Sequence, residues 1–126
     1  MNRLFALLLV SVAFILSSTN SSAQDYSCNE LMSFAKRNGY KIGNVGPMSL
    51  YDSSWLKNVD AYKVDNTIVV IASIKQDEWG ISSKDYIFCG VPKSNWDRFN
   101  NAFSDWGTSY GERFHKYIYN YACNCY

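Results

Sequence analysis

The spacing of apolar residues changes several times along this chain, and each change marks an element. Residues 4–16 are almost wholly apolar, broken only by Ser11. Further on, Leu31, Phe34 and Ala35 share one helical face behind Ser27-Cys28-Asn29-Glu30. Ser27 and Glu30 have the spacing of a capping box, in which each side chain serves the other's backbone N–H. With Asn38-Gly39 as the stop, the pattern predicts a helix over 28–38. Residues 40–51 hold Gly43, Gly46 and Pro47 and read as a connecting loop. Residues 57–64 alternate, with Val59 and Ala61 on one side and Asn58, Asp60, Tyr62 and Val64 on the other. Asp65-Asn66 tolerate the left-handed conformation and predict a two-residue turn. Residues 67–74 are β-branched and apolar on both faces, as a central strand is. Residues 76–84 read as a polar hairpin loop with an exposed Trp79, and 86–90 as the next strand.

Gly90-Val91-Pro92 makes a sharp corner, because proline cannot donate to a ladder. Ser94 caps the helix that follows. Trp96, Phe99 and Phe103 repeat at i, i+3 and i+7 as its buried stripe, and Trp106-Gly107 closes it. Ser109 and Glu112 form a second capping-box spacing. The last helix turns Tyr110, Phe114, Tyr117, Ile118 and Tyr121 to one side. The order predicts an α+β domain: an N-terminal helix, a three-stranded antiparallel meander, and two C-terminal helices packed on one face.

The N-terminus changes the picture of where the protein works. A basic Met1-Asn2-Arg3, the apolar run and the small residues Ser21-Ser22-Ala23 follow the plan of a secretory signal, with a run too short to span a bilayer. Cleavage after Ala23 leaves residues 24–126 as one small domain, secreted or periplasmic. Loss of Arg3 leaves basic and acidic side chains equal in number. A neutral chain has no long-range field with which to gather nucleic acid or anionic lipid. Cys28, Cys89, Cys123 and Cys125 all lie past the cleavage site, and an even count in an exported chain reads as two disulfides. A bond between Cys123 and Cys125 would strain a tiny ring, so each takes Cys28 or Cys89, with both pairings open. The rival is a zinc site, for which Cys-x-Cys is a poor spacing.

Several short motifs then fall in a known order. Ser53-Ser54-x-Leu56, Val59-x-Ala61-Tyr62, Tyr86 leading to Val91-Pro92, Trp96 and Phe99, and Gly111-Glu112-Arg113-Phe114 with Ile118 resemble the KTSC domain family over residues 53–121. These are short modules found alone or at the C-terminus of some lysyl-tRNA synthetases. The resemblance implies strand–strand–helix order and brings no enzymatic activity with it. It implies structural roles for Ser53, Ser54, Val91, Pro92 and Gly111, with the serines bonded to the final helix or to the 90–92 corner and Gly111 allowing close packing. The chain departs from the family in its export, its cysteines, and Tyr110 where a Lys often precedes the late glycine.

Candidate chemistry is thin. His115 is the only histidine, with Glu112 one turn before it. A hydrolase would use Ser53 or Ser54 as nucleophile, His115 as base and Glu112 to orient it. Trp79, Tyr119 and Tyr126 could stack on a ligand or partner. Lys36-Arg37 and Asp77-Glu78 read as solvated surface. No cofactor motif or metal-ligand spacing stands out. The sequence favours a disulfide-bonded binding or interaction module with a protein partner, of inhibitor or immunity type. The alternatives are the small hydrolase and an RNA-binding module.

Overall fold

The computed structural model describes residues 26–126, so the expected signal over 1–23 lies outside the described residues. The chain runs α1 (Cys28–Asn38), β1 (Tyr40–Val45), β2 (Leu56–Val64), β3 (Thr67–Lys75), β4 (Ser83–Phe88), α2 (Lys93–Asn100) and α3 (Tyr110–Tyr117). Short 3-10 turns occupy Ala102–Asp105 and Tyr119–Tyr121. The strands form one antiparallel sheet in the order β1-β2-β3-β4. The fold is α+β, with four strands where the sequence predicts three.

The added strand is β1, read above as loop because of its glycine. Its register slips between Lys41 and Gly43. A glycine at a bulge often marks close approach of another group, and here the group is Trp96. A Cβ on Gly43 would lie 2.6 Å from the indole Cζ2. Gly43 is therefore needed by packing across the sheet, not by a turn.

Strand β3 is the centre of a three-layer arrangement. Ile68, Val70 and Ala72 face α2 and α3, where they meet Val59, Ala61, Phe88, Trp96, Phe99, Phe114 and Ile118. Val69 and Ile71 face the other way and, with Tyr62 and Ile87, lie under Met32 and Ala35 of α1 and under Cys123. The outer edge of β4 is covered by the C-terminal tail. Cys89 N–H donates to Tyr121 O (2.7 Å), Cys123 N–H to Ile87 O (3.3 Å) and Ile87 N–H to the Tyr126 hydroxyl (2.6 Å). Two disulfides, Cys28–Cys125 and Cys89–Cys123, fasten this tail to α1 and to the end of β4.

Each capping box forms its N-cap half, while the glutamate carboxylate accepts from the serine hydroxyl and not from its backbone N–H. Glu30 N–H donates to Ser27 Oγ at 3.1 Å, and Glu112 N–H to Ser109 Oγ at 3.2 Å. Asp65 takes the left-handed conformation of the β2–β3 turn (φ 54°). Three expectations are corrected. Phe34 is exposed, and Met32 supplies the buried contact of α1 beside Ala35. Pro92, not Ser94, caps α2, because its fixed φ already starts the helix and its carbonyl accepts from Asn95 and Trp96 N–H. Helix α2 also stops at Asn100. Asn101 leaves the helical region and its side chain accepts from Phe103 N–H. That turn swings Phe103 off the stripe and into solvent.

Candidate functional site

The positions singled out in the sequence are divided between the two ends of β2. Ser53 and Ser54 stand before its first residue, and the β2–β3 turn at Asp65-Asn66 follows its last. Val91 lies with the turn, since its N–H donates to Ile68 O (3.1 Å). The serines therefore do not reach the 90–92 corner. The structure brings Ser53, Ser54, Gly111 and His115 together and sets Val91 and Pro92 apart from them. The four cysteines sit on the α1 side of the sheet.

At the serine end, a pocket of about 300 Å³ is lined by Ser53, Ser54, Trp55, Gly111, Glu112 and His115, among others. Trp55 builds it. Its ring meets Phe114 edge-on (5.4 Å between centroids, 82°) and reaches over the N-terminus of α3. A Cβ on Gly111 would lie 2.7 Å from the indole Nε1, so glycine there admits the tryptophan. His115 stacks at a tilt between Trp55 (4.9 Å) and Tyr119 (4.8 Å), which makes a row of three rings along the outside of α3.

The groups that a hydrolase would need share this pocket, and two of them, Ser53 and Glu112, hold other bonds. Ser53 Oγ accepts from Leu56 N–H at 3.0 Å and Trp55 N–H at 3.4 Å, which fixes the turn into β2. Its carbonyl accepts from the Lys75 ammonium. Glu112 is the capping partner of Ser109, whose hydroxyl donates to Glu112 Oε1 at 3.3 Å. Among the described residues no hydrogen bond joins His115 to either serine or to Glu112, and such a bond is the first sign of an activated hydroxyl. As folded, the pocket offers aromatic edges and hydroxyls for recognition.

At the other end, Gly90 takes the left-handed conformation (φ 66°) that turns β4 toward α2. Val91 is buried and Pro92 exposed. Together with Tyr40, Ile42, Lys63 and Trp96 they line a groove of about 810 Å³. Lys93 in this groove is paired with Asp97 at 2.9 Å.

The serine end has a further feature. Helix α3 runs antiparallel to α2, because Asn95 Nδ2 donates to Tyr117 O (2.9 Å) and Arg113 Nε donates to Phe99 O (3.0 Å). The connection between these helices therefore falls beside Trp55, as do the β1–β2 and β3–β4 connections. Met48 and Tyr51 lie in the first sheet connection, Trp79 and Ile81 in the second, and Phe103 and Trp106 between the helices. All six are more than 80 % exposed. The sequence pointed to Trp79 alone. For Met48, Tyr51 and Ile81 the signal was available, as large apolar residues in stretches with no helical or strand period, whereas Phe103 and Trp106 were read as part of a helix.

Sequence reading placed Arg113 in the Gly111-Glu112-Arg113-Phe114 motif but gave it no role of its own. It is buried, though its neighbours Glu112 and Phe114 make it look like the polar edge of an amphipathic helix. Its guanidinium donates to the carbonyls of Phe99 and Thr108 (2.6 Å) and covers the Tyr110 ring (4.4 Å). It thus ties the α2–α3 connection to α3. Asp105 in that connection accepts from the Tyr117 hydroxyl (2.7 Å) and pairs with Lys116 (3.1 Å). Those two contacts, the tyrosine first, hold its pKa below the ordinary carboxylate value. Asp77 is likewise lowered, chiefly by the Ser82 N–H that it caps.

Two disulfides are present, every cysteine described is paired, and no helix described is long and apolar enough to cross a membrane. Such bonds fit an extracellular or periplasmic setting. Comparison with family models, with curated proteins and with solved structures finds no match to the chain.

Proposed function

We propose that this chain is an exported, KTSC-like binding module that acts on a protein partner as an inhibitor or immunity-type protein, and not as an enzyme. The observation that carries the reading is the set of six large apolar side chains exposed at one end of the sheet. Leaving such a side chain in water forgoes roughly 1.5–3 kcal/mol of burial. A concentration of them at one end is the mark of an interaction surface. Ser53, Glu112 and Gly111 meanwhile serve a turn, a cap and a close contact. The KTSC resemblance is consistent with this, because its motif positions do structural work here.

The test uses the oxidised protein without residues 1–23, immobilised and exposed to an extract of proteins exported by its own source. Expected is one partner retained in stoichiometric amount, whose own activity falls when the purified module is added. Repeated absence of any partner would contradict the reading. The hydrolase alternative has a separate check, because a hydrolytic activity lost in His115→Ala, with folding intact, would establish it.

A further inference from the structure

We propose that the end of the sheet carrying Met48, Tyr51, Trp79, Ile81, Phe103 and Trp106 docks a basic surface of the partner protein. The aromatic tips are its anchors and carboxylates its rim. The inference rests on the binding-module reading and adds where the partner sits and what its surface is like.

Charge carries the argument. The three connections, residues 46–55, 76–82 and 101–109, contain Asp52, Asp77, Glu78 and Asp105 and no Lys, Arg or His. The connections themselves thus carry acid without base, although the chain as a whole is close to balanced, with 12 basic and 11 acidic side chains. Lys57, Lys75, Lys84 and Lys116 border them: Lys116 is paired with Asp105, and Lys75, held by the neutral Ser53 carbonyl, keeps its charge behind the exposed tips. Among the described residues Asp52 and Glu78 have no ion pair, and neither has Glu112 beside them at the pocket.

The tips are also held in place. Leu50, between Met48 and Tyr51, is fully buried and roots that loop. Asp77 accepts from Ile81 and Ser82 N–H and shapes the turn that displays Trp79. Phe103 and Trp106 stack at 6.1 Å with ring planes 23° apart, and Arg113 bonds the Thr108 carbonyl behind them. A surface ordered before binding loses less entropy on docking. Exposed Trp, Tyr and Met within a polar rim are the usual make-up of an energetic interface centre.

Other occupants fit less well. Trp and Tyr tips also suit a membrane interface, but the local carboxylates oppose an anionic bilayer and the phosphates of nucleic acid alike. A second copy would set the same acids against each other. A basic protein surface satisfies both the aromatic and the acidic side chains, and it would be drawn in faster at low salt.

The experiment places a photo-crosslinking amino acid at Trp79 or Tyr51, and at Phe34 on α1 or Arg98 on α2 as controls. The full protein is expressed in its source, irradiated, and its cross-linked peptides are sequenced. The partner so identified is purified and titrated with the wild type and with Trp79→Ala, Trp106→Ala and Glu78→Lys. Expected are cross-links from positions 79 and 51 to a Lys- and Arg-rich surface, and affinity lost by about tenfold or more for each aromatic variant. Glu78→Lys is expected to slow association, and wild-type affinity to fall as salt rises. Cross-links from positions 34 or 98 only, or to an acidic surface, would overturn this inference and leave the module reading standing. No cross-link from any position would remove both. Tight binding to phosphatidylcholine–phosphatidylglycerol vesicles through Trp79 would assign the surface to a membrane instead. Because all three variant positions are exposed loop residues, an unchanged melting temperature is expected and serves as the folding control.

Discussion

Replacing Cys28 and Cys125 together by alanine cuts the bond that holds α1 to the tail. The helix has 11 residues and buries only Met32 and Ala35 against the sheet, and a helix of that length is marginal by itself in water. The magnitude follows from the loop the bond closes. The two cysteines are 97 residues apart, but Cys89–Cys123 already shortens the path. From Cys28 to Cys89, across that bond and on from Cys123 to Cys125 is about 63 residues, for which loop-closure entropy gives about 4.3 kcal/mol. The Cys89–Cys123 bond closes 34 residues, and the same relation gives about 3.8 kcal/mol. The logarithm makes the two bonds nearly equal in spite of their different spans. For a domain of this size a loss of 4.3 kcal/mol lowers the melting temperature by about 20 °C. Circular dichroism melts of the double variant read that shift, and hydrogen exchange over residues 28–38 reads whether α1 loosens first. A loss below about 1 kcal/mol, with α1 amides protected as in the wild type, would refute the reasoning. It would mean that Met32 and Ala35 hold the helix without the tether.

Three other substitutions have defined outcomes. Gly111→Ala is expected to cost about 1–3 kcal/mol by crowding the Trp55 indole, although alanine is the better helix former, and a denaturant titration would show it. Arg113→Met leaves the Phe99 and Thr108 carbonyls without their donor and is expected to cost about 2–4 kcal/mol, with the Phe103–Trp106 connection gaining mobility in amide exchange. Asp105 has a lowered pKa in the folded state, so its contribution is held above the ordinary carboxylate range and lost as pH falls through the folded value. Asp105→Asn is therefore expected to flatten the fall of stability on acidification below about pH 5, measured by melting temperature against pH.

What could be read from the sequence was local. The capping signals at Ser27–Glu30 and Ser109–Glu112 lie within four residues, and the serine caps of both form. The β-branched run of β3 needs no partner to be recognised, and the Asp65 turn depends on the backbone tolerance of one residue. Where a distant residue decides the structure, the sequence is silent. Strand β1 exists because β2 pairs with it and Trp96 lies on Gly43, so its glycine looked like a loop signal. Which cysteines pair depends on the tail running back along β4. Phe103 kept helical spacing in the sequence and lost it to the side chain of Asn101. The clustering of Ser53, Gly111 and His115 depends on the insertion of Trp55, which no local pattern shows. The acidic, aromatic end was in the sequence in pieces, but three separate connections had to be brought to one side of the sheet before it could be recognised.

The most direct measurement is hydrogen exchange of the oxidised protein, free and in complex with its purified partner. If the sheet end is the docking surface, exchange slows over residues 46–55, 76–82 and 101–109 and is unchanged over 28–38 and in the groove at Val91 and Pro92. Slowing confined to the groove, or no difference at any peptide, would contradict the account.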